Sequence, residues 1–322
     1  MLYTDVLQTP MPTNSPDPAL PRVDLVGVGL NAADTLIALP HFPLPGSKVE
    51  FADLLTLPGG QVASAVAACA TWGLSTRYIG KLGDDAAARL HATEFARLGV
   101  DARCIPVPDC HSRQSIILLD EHGERTVLWR RDPRQNLHPS ELRQDWIQQA
   151  RVLLVDGYDT AAAVQSAQWA RQSGVSTVAD LDELYPGIDD LLALTDYAIV
   201  SRDFPQRLTG EPTLESALGS MQRRYGHRLA AATLGEEGVL AWDGQQMLHV
   251  AAFSVPVRDT TGAGDIFHAA FVYALLQDWP LARQLAFACA AAALNCTAPG
   301  ARGGIASLAA IERLLHTRNQ QS

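Results

Sequence analysis

Short apolar runs separated by helix-like segments organise most of the chain. Residues 23–30 read VDLVGVGL, a nearly continuous apolar stretch of strand length. Runs without polar alternation are typical of strands that are buried on both faces of a parallel sheet. Similar runs recur at residues 78–80, 152–157, 176–181, 197–201 and 229–235. The pattern therefore predicts a central, mostly parallel sheet.

Alanine-rich segments with helical periodicity lie between these runs. In residues 59–73, the apolar side chains of Val62, Val66 and Cys69 recur at the spacing of one helix face. Because strands alternate with helices, consecutive βαβ units are expected. The predicted fold class is α/β, a doubly wound sheet with helices on both faces.

Two segments depart from this alternation. Residues 37–57 carry three prolines before a β-rich run, and residues 112–130 form two β-rich runs around the turn residues His122 and Gly123. Together they predict a small inserted β-sheet without helices, which could act as a lid. The remainder divides into a main α/β domain (22–36, 58–111 and 131–322) and a flexible, proline-rich N-terminal tail (1–21).

Composition excludes several classes of protein. The chain has 25 Lys and Arg against 35 Asp and Glu, a net charge of -10, so it lacks a basic field for nucleic acid. No apolar stretch approaches the roughly 18 residues of a membrane span. The five cysteines are scattered and form no C-x-x-C pair, and the N-terminus lacks signal-peptide features. Both observations favour a cytoplasmic protein with reduced thiols.

The first glycine-rich motif follows the opening strand. Residues 27–32 (GVGLNA) superficially match a dinucleotide-binding fingerprint, which needs a helix directly afterwards. Only seven residues separate Ala32 from Pro40, so an ordinary helix does not fit. A tight strand exit is one alternative, and a ligand site using Asn31 and Asp34 is another.

The second glycine motif lies in residues 258–276. Strand-like residues 249–257 precede it, and a helical apolar pattern follows Gly264. The backbone amides of Gly262, Ala263 and Gly264 are expected to face an anion at the positive end of this helix. Asp265, in the first turn, could accept a proton there, or it could merely complement the helix dipole.

Three motifs, taken together, resemble those of the PfkB or ribokinase family of carbohydrate kinases. They are GGQVASAVAACATWGLSTRYIGKLGDD (59–85), TLGEEGVLAWDG (233–244) and DTTGAGDIFHAAF (259–271), and the resemblance spans residues 22 to about 308. It implies a ribokinase-like fold and an ATP-dependent sugar kinase that uses Mg²⁺. The chain contains no Walker sequence, which suits a family that binds phosphate in an anion hole.

The resemblance also implies roles for individual residues. Asp265 would be the catalytic base, with an anion hole formed by Gly262, Ala263 and Gly264. The nucleotide would contact Thr233, Gly235, Gly238, Cys289 and Gly300. The sugar would contact Asp34, Gly59 and Gly60, and beside them Asn31 and Gln61. Backbone oxygens of Asp259 and Thr261 match positions that hold a monovalent cation such as K⁺ in some members.

Three positions depart from the ribokinase pattern. Ser201–Phe204 replaces an N-x-x-E motif, Ser64 replaces an asparagine of the first signature, and His268 replaces the usual asparagine after the catalytic aspartate. These differences favour ketohexokinase-like branches. His268 is interpreted as a helix residue packed below the site, and the base and anion hole remain intact.

The substrate stays open at this point. A neutral ketohexose or pentose, phosphorylated on a primary hydroxyl, is one reading. Clustered arginines near the second lid segment, Arg113 and Arg130 among them, would instead suit an anionic sugar. A catalytically silent sugar-binding regulator and a dehydrogenase are the rival functions. Apolar lid residues such as Phe51 and Trp129 predict a homodimer formed through the lids.

Overall fold

A nine-stranded sheet runs through the centre of the protein in the computed structural model, which describes residues 20–120 and 125–319. Its strands are β1 (Val23–Val28), β4 (Thr76–Leu82), β5 (Asp101–Pro106), β8 (Ala150–Asp156), β9 (Ser176–Leu181), β10 (Tyr197–Ser201), β11 (Leu229–Thr233), β12 (Val239–Trp242) and β13 (Met247–Val250). The spatial order is β13-β12-β11-β10-β9-β8-β1-β4-β5. Neighbouring strands from β11 to β5 pair in parallel, and β12 runs antiparallel to β11. The predicted mostly parallel sheet is confirmed.

A separate four-stranded sheet corresponds to the predicted lid. It contains β2 (Ala32–Ala38), β3 (Asp53–Gly59), β6 (Gln114–Leu119) and β7 (Arg125–Arg130), in the order β3-β2-β6-β7. Its first strand begins at Ala32, earlier than the predicted residue 37. This strand also takes the place that a dinucleotide-binding helix would need. The turn residues His122 and Gly123, like residues 1–19 of the predicted tail, lie outside the described ranges.

Helices cover both faces of the main sheet, as the alternating pattern predicts. They are α1 (Gln61–Thr71), α2 (Ala86–Leu98), α3 (Gln144–Ile147), α4 (Thr160–Gln172), α5 (Ile188–Leu192), α6 (Phe204–Thr209), α7 (Leu214–Tyr225), α8 (Ala263–Leu276), α9 (Leu281–Asn295) and α10 (Leu308–Asn319). Leu25 of β1 packs into the core that includes α1, α8 and α9, whereas Val26 packs into the core that includes α4 and α7. No helix in the described part of the chain is long and apolar enough to cross a membrane.

The strand predicted over residues 249–257 is wrong for most of its length. Only Met247–Val250 is a strand, and residues 251–260 form neither helix nor strand. Pro256 cannot donate a ladder hydrogen bond. Ala252 and Phe253 instead leave the sheet edge and line a cavity beside α8.

Candidate active site

The N-terminus of α8 is shaped by a glycine that no other residue could replace without strain. Gly262 caps the helix with φ 75°. A Cβ atom there would lie 2.4 Å from the carbonyl oxygen of Ala301. The positive φ and this close approach both require glycine. Because Gly262 has no side chain, the loop after α9 can pack directly against the start of α8.

Backbone amides at this helix end point out of the helix. The amide of Ala263 donates to the carbonyl oxygen of Thr260 at 3.2 Å, and that of Ile266 donates to Gly262 at 2.9 Å. Of the amides predicted for the anion hole (Gly262, Ala263 and Gly264), that of Ala263 is therefore already bonded within the loop. The amides of Gly264 and Asp265 lie in the turn where amides lack intrahelical acceptors. They can receive an anion, helped by the helix dipole.

Asp265 lies in the same first turn, at the carboxyl-end edge of the main sheet. Burial of the carboxyl group, and then the nearby negative charge of Asp180, raise its pKa to about 7, while His268 and Arg302 oppose this. A carboxylate with a pKa close to neutrality can take a proton from a hydroxyl group near pH 7. The position and the raised pKa of Asp265 therefore suit a proton acceptor beside the predicted anion site.

His268 lies beneath Asp265 and is 2% exposed. Its Nδ1 atom is 2.8 Å from the carbonyl oxygen of Gly264 and 3.4 Å from Oδ2 of Asp180, and its Nε2 atom is 3.1 Å from the carbonyl oxygen of Ile199. Burial lowers the pKa of His268. The ring thus ties the first turn of α8 to β10, as expected for a packed residue. Asp180, the acidic residue of strand β9, was not singled out from the sequence.

A cavity of about 540 Å³ opens beside this helix end. Four of the residues predicted for the nucleotide line it, together with two of the anion hole: Thr233, Gly235, Gly238, Cys289, Ala263 and Gly264. Apolar walls come from Phe253, Val255, Val257, Phe267, Ala292 and Ala293. Pockets of this size with a largely apolar lining and a few polar groups are typical small-molecule sites.

Two predicted nucleotide-site glycines differ in their surroundings. Gly238 has φ 96°, and a Cβ atom there would lie 2.0 Å from the carbonyl oxygen of Val250, so the turn before β12 requires glycine. Gly300 does not line the cavity. It packs closely against Leu57 of the lid strand β3. A Cβ atom on Gly300 would lie only 2.4 Å from Leu57 Cδ1.

Asp34 and the glycine pair meet on the other side of the site. Asp34 is 7% exposed and accepts a short hydrogen bond from the Ser115 hydroxyl. A Cβ atom on Gly59 would collide with Oδ2 of Asp34, and one on Gly60 would collide with the backbone of Asn31. Burial raises the pKa of Asp34, although the Ser115 hydrogen bond and Arg302 oppose this. The structure brings the predicted sugar-binding elements together.

Asn31 and Gln61, predicted beside them, occupy different environments. Asn31 is fully buried, and its Nδ2 atom donates to the Tyr78 hydroxyl at 2.7 Å and to the Lys81 carbonyl at 2.9 Å. Its Nδ2 atom therefore supports the strand ends, whereas its buried Oδ1 atom has no hydrogen-bond partner among the described residues. Gln61 is partly exposed at the start of α1 and hydrogen-bonds to Asp182.

The two arginines predicted to bind substrate are not free donors in the cleft. Arg113 is 5% exposed and donates to Asp159 at 2.8 Å and to the carbonyl of Gln135 at 2.6 Å. Arg130 pairs with Gln114 in the lid sheet, one position out of phase with Ser115. Because successive strand residues alternate in direction, Arg130 points away from the face that carries Asp34 and Ser115. The tertiary structure thus disfavours both as substrate ligands.

The loop predicted to hold a monovalent cation is cross-linked by two side chains. Asp259 accepts from the amides of Thr261 at 2.9 Å and Gly300 at 2.7 Å. Asn295 Nδ2 donates to the carbonyl oxygens of Thr261 at 3.3 Å and Ala301 at 3.2 Å. Within the described ranges, the buried Asn295 Oδ1 has no hydrogen-bond partner. Oxygen atoms of two loops therefore converge near the start of α8.

These features define a class of protein. Kinases that phosphorylate small molecules combine these parts: a doubly wound sheet, a helix N-terminus with an acidic residue beside it, a nucleotide-sized cavity and a β-sheet lid. The profile of the pfkB family carbohydrate kinases matches residues 25–307, and the chain belongs to this family. It is therefore a phosphotransferase with an alcohol group as acceptor, and the reading as a sugar kinase is confirmed.

Named relatives and solved structures agree with this placement. The chain is similar to a ribokinase of Haemophilus influenzae (28% identity over 292 residues, 88% of this chain and 95% of the relative). It is also similar to a 5-dehydro-2-deoxygluconokinase of Geobacillus kaustophilus (23% identity, 93% of this chain and 96% of the relative). The Arabidopsis thaliana ribokinase complexed with ribose and ATP has the same fold (TM-score 0.76, 24% identity, 91% of this chain and 99% of that chain). The predicted ribokinase-like fold is confirmed.

Proposed function

We propose that the protein transfers the γ-phosphoryl group of ATP to a primary hydroxyl group of a small sugar, of the ketohexose or pentose type. The observation that carries this proposal is the position of Asp265 beside outward-facing amides at the mouth of the nucleotide-sized cavity. Asp265 accepts the hydroxyl proton while the sugar oxygen bonds to phosphorus and the bond to the ADP oxygen breaks. The amides of Gly264 and Asp265 stabilise the transferring phosphoryl group.

ATP and magnesium fit the residues present. Apolar walls around Cys289 suit a nucleobase, and the turn from Thr233 to Gly238 borders the same cavity. Magnesium bound to the phosphates would neutralise part of their charge. In residues 20–120 and 125–319, no group of three or more His, Cys, Asp or Glu side chains could hold a metal ion. Phosphate oxygens and water would therefore be its main ligands.

A monovalent cation also fits. The loops joined by Asp259 and Asn295 bring carbonyl oxygens together next to the anion hole, with the orphaned Oδ1 of Asn295 nearby. We propose that backbone oxygens of Asp259 and Thr261 hold K⁺ there. Bound K⁺ would add positive charge beside the N-terminus of α8, where the phosphoryl group is proposed to bind.

Two further proposals concern assembly and compartment. The lid face opposite Asp34 exposes Leu54, Ile116 and Leu128, an apolar area that pairing with a second copy would cover. We propose a homodimer formed through the lids.

All five cysteines are free thiols, which supports a reducing, cytoplasmic setting.

A coupled assay for ADP release tests the proposed function. Purified protein with Mg²⁺ and ATP should release ADP only when a sugar is added. Mass spectrometry should then find one added phosphoryl group on a terminal carbon of that sugar. A silent sugar-binding regulator would bind the sugar in calorimetry and release no ADP. A dehydrogenase would be stabilised by NAD and not by ADP in a thermal-shift assay, which would contradict the proposal.

A further inference from the structure

Arg131 is an exposed residue just after the lid strand β7, and it contacts aromatic side chains of both the lid and the main domain. Its guanidinium carbon is 4.3 Å from the ring centroid of Trp129, 4.1 Å from that of Tyr158 and 5.8 Å from that of Tyr185. The guanidinium is thus surrounded by three aromatic rings, which we call the aromatic clamp (Trp129, Tyr158 and Tyr185).

The clamp faces the substrate side of the molecule. Trp129 shares a row across the lid sheet with Ser115 and Asp34, because the register pairs Asp34 with Ser115 and Ser115 with Trp129. Tyr158 and Tyr185 follow the carboxyl ends of β8 and β9, the edge at which open α/β sheets bind their ligands. Arg131 is therefore held between the inner face of the lid and the ligand-binding edge of the sheet.

The charge of Arg131 has no carboxylate partner within 4 Å in the described ranges. Its one hydrogen bond there is a long one, 3.5 Å, to the Tyr185 hydroxyl. By contrast, Arg113 contacts Asp159 at 2.8 Å and Arg134 contacts Asp132 at 2.7 Å. Stacking on aromatic rings fixes the plane of a guanidinium and leaves its N–H edge able to bind a planar or tetrahedral anion.

Arg113 also contacts the clamp, although Asp159 compensates its charge. Its guanidinium carbon lies 4.7 Å from the centroid of the Tyr158 ring, and its buried Nη1 atom has no hydrogen-bond partner among the residues that the structure describes. Arg131 also interacts electrostatically with Asp182, and the Asp182 carboxylate is hydrogen-bonded to Gln61. Gln61 begins the helix that follows the sugar-binding glycines, so Arg131 and the sugar site share a neighbour.

We propose that the sugar substrate carries an anionic group, a carboxylate, sulfonate or phosphate, and that Arg131 binds it. This inference rests on the proposed kinase function and narrows its substrate class. The anion occupies the clamp end of the cleft, and the primary hydroxyl that is phosphorylated faces Asp265. Arg131 thereby takes the role that the sequence suggested for Arg113 and Arg130.

Steady-state kinetics on a panel of sugars test the proposal. The acidic sugars are 2-keto-3-deoxygluconate, fructose 6-phosphate and 6-deoxy-6-sulfofructose, and the neutral ones are fructose and ribose. We expect kcat/KM for one acidic sugar to exceed that of both neutral sugars by at least about 100-fold. Which acidic sugar is preferred distinguishes carboxylate, phosphate and sulfonate.

Variants assign the preference to the clamp. Arg131→Gln should raise KM for the preferred acidic sugar at least about tenfold and leave the KM of ATP within about twofold. Arg131→Lys should restore part of the affinity, since it keeps the charge but loses the planar fork. Arg134→Gln is the matched control, because Arg134 is an exposed arginine of the same segment that is paired with Asp132. It should leave all constants unchanged.

Two results would overturn the inference while the kinase function stands. One is a wild-type preference for fructose or ribose over every acidic sugar. The other is an Arg131→Gln variant that loses activity equally on neutral and acidic sugars, which would indicate a structural role. ADP release with none of the five sugars, in protein that binds ATP, would instead overturn the proposed function together with the inference.

Discussion

The guanidinium of Arg302 donates a hydrogen bond to the carbonyl oxygen of Gly59 at 2.9 Å and another to the Ser64 hydroxyl at 3.1 Å. A salt bridge to Glu94 compensates its charge, and Arg302 is 5% exposed at the side chain. The loop after α9, which packs against the start of α8, is therefore joined to the glycine turn that approaches Asp34. This contact links the nucleotide side of the site to the sugar side.

Arg302→Met should weaken sugar binding and destabilise the protein. Without the guanidinium, the Gly59 turn loses its donor, so KM for the sugar should rise by about tenfold or more, with a smaller effect on ATP. Glu94 would be left largely buried without its partner, which costs about 3 kcal/mol. Chemical denaturation and steady-state kinetics measure the two effects. The double variant Arg302→Met/Glu94→Gln should regain stability without regaining sugar affinity, and a parallel recovery of both would contradict the positioning role.

Asp265→Asn should reduce kcat by about 10²- to 10⁴-fold while leaving ATP affinity nearly unchanged, because asparagine keeps the shape and cannot accept the proton. Rapid-quench or coupled assays and calorimetry with ATP measure the two quantities. Asp278→Asn is the matched control, since Asp278 is exposed just beyond the other end of the same helix and asparagine tolerates its positive φ of 53°. Near wild-type turnover in Asp265→Asn would remove this residue from the mechanism.

The pH dependence of kcat should report the ionisation of Asp265. Burial and Asp180 raise the pKa of Asp265 to about 7, and the base must be deprotonated to act. Turnover should therefore fall about tenfold for each pH unit below this value. Burial also raises the pKa of Asp180 well above its usual range, so the two buried carboxyl groups influence each other's protonation. Asp180→Asn removes this second carboxyl group, so the acidic limb should move to lower pH. A limb that stays in place in this variant, measured at constant ionic strength, would show that Asp180 does not act on Asp265.

Potassium should raise activity over sodium at fixed Mg²⁺ and ionic strength. The loops tied by Asp259 offer neutral carbonyl oxygens, which suit the larger, weakly hydrated cation. Assays in KCl and NaCl, each with a titration of the cation, measure the effect. Asn295→Ala removes the cross-link to Thr261 and Ala301 and should weaken cation activation more than basal turnover. Equal rates in the two salts would exclude the cation from the mechanism.

A charged residue on the outer lid face should prevent dimer formation. Ile116 and Leu128 are paired across strands and are 42% and 52% exposed. Leu128→Asp would place a carboxylate in the proposed interface and convert a dimer to a monomer in multi-angle light scattering at micromolar concentration. Ala309→Asp, an exposed position on α10, makes the same charge change elsewhere and should leave the dimer intact. A monomeric wild-type protein would refute the assembly.

Much of this architecture could be predicted from local patterns. Apolar runs of strand length and alanine-rich helical periodicity depend on neighbours within a few residues, so β1, β8 and α1 were visible in the sequence. The same is true of the start of α8, where Gly262 and Asp265 are close in the chain and their geometry follows from one helix turn.

Other features were decided only by the tertiary structure. Arg113 and Arg131 have the same side chain and lie 18 residues apart, yet one is neutralised by Asp159 and the other is held by aromatic rings from three parts of the chain. Arg302 reaches Gly59 across 243 residues of sequence. Long-range packing decides whether an arginine lies beside an acid or beside aromatic rings. The local sequence around an arginine does not show which distant residues will contact it. The sequence by itself determined the framework and the position of Asp265 at the start of α8, and the packing of lid against sheet determined which arginine lies among aromatic rings.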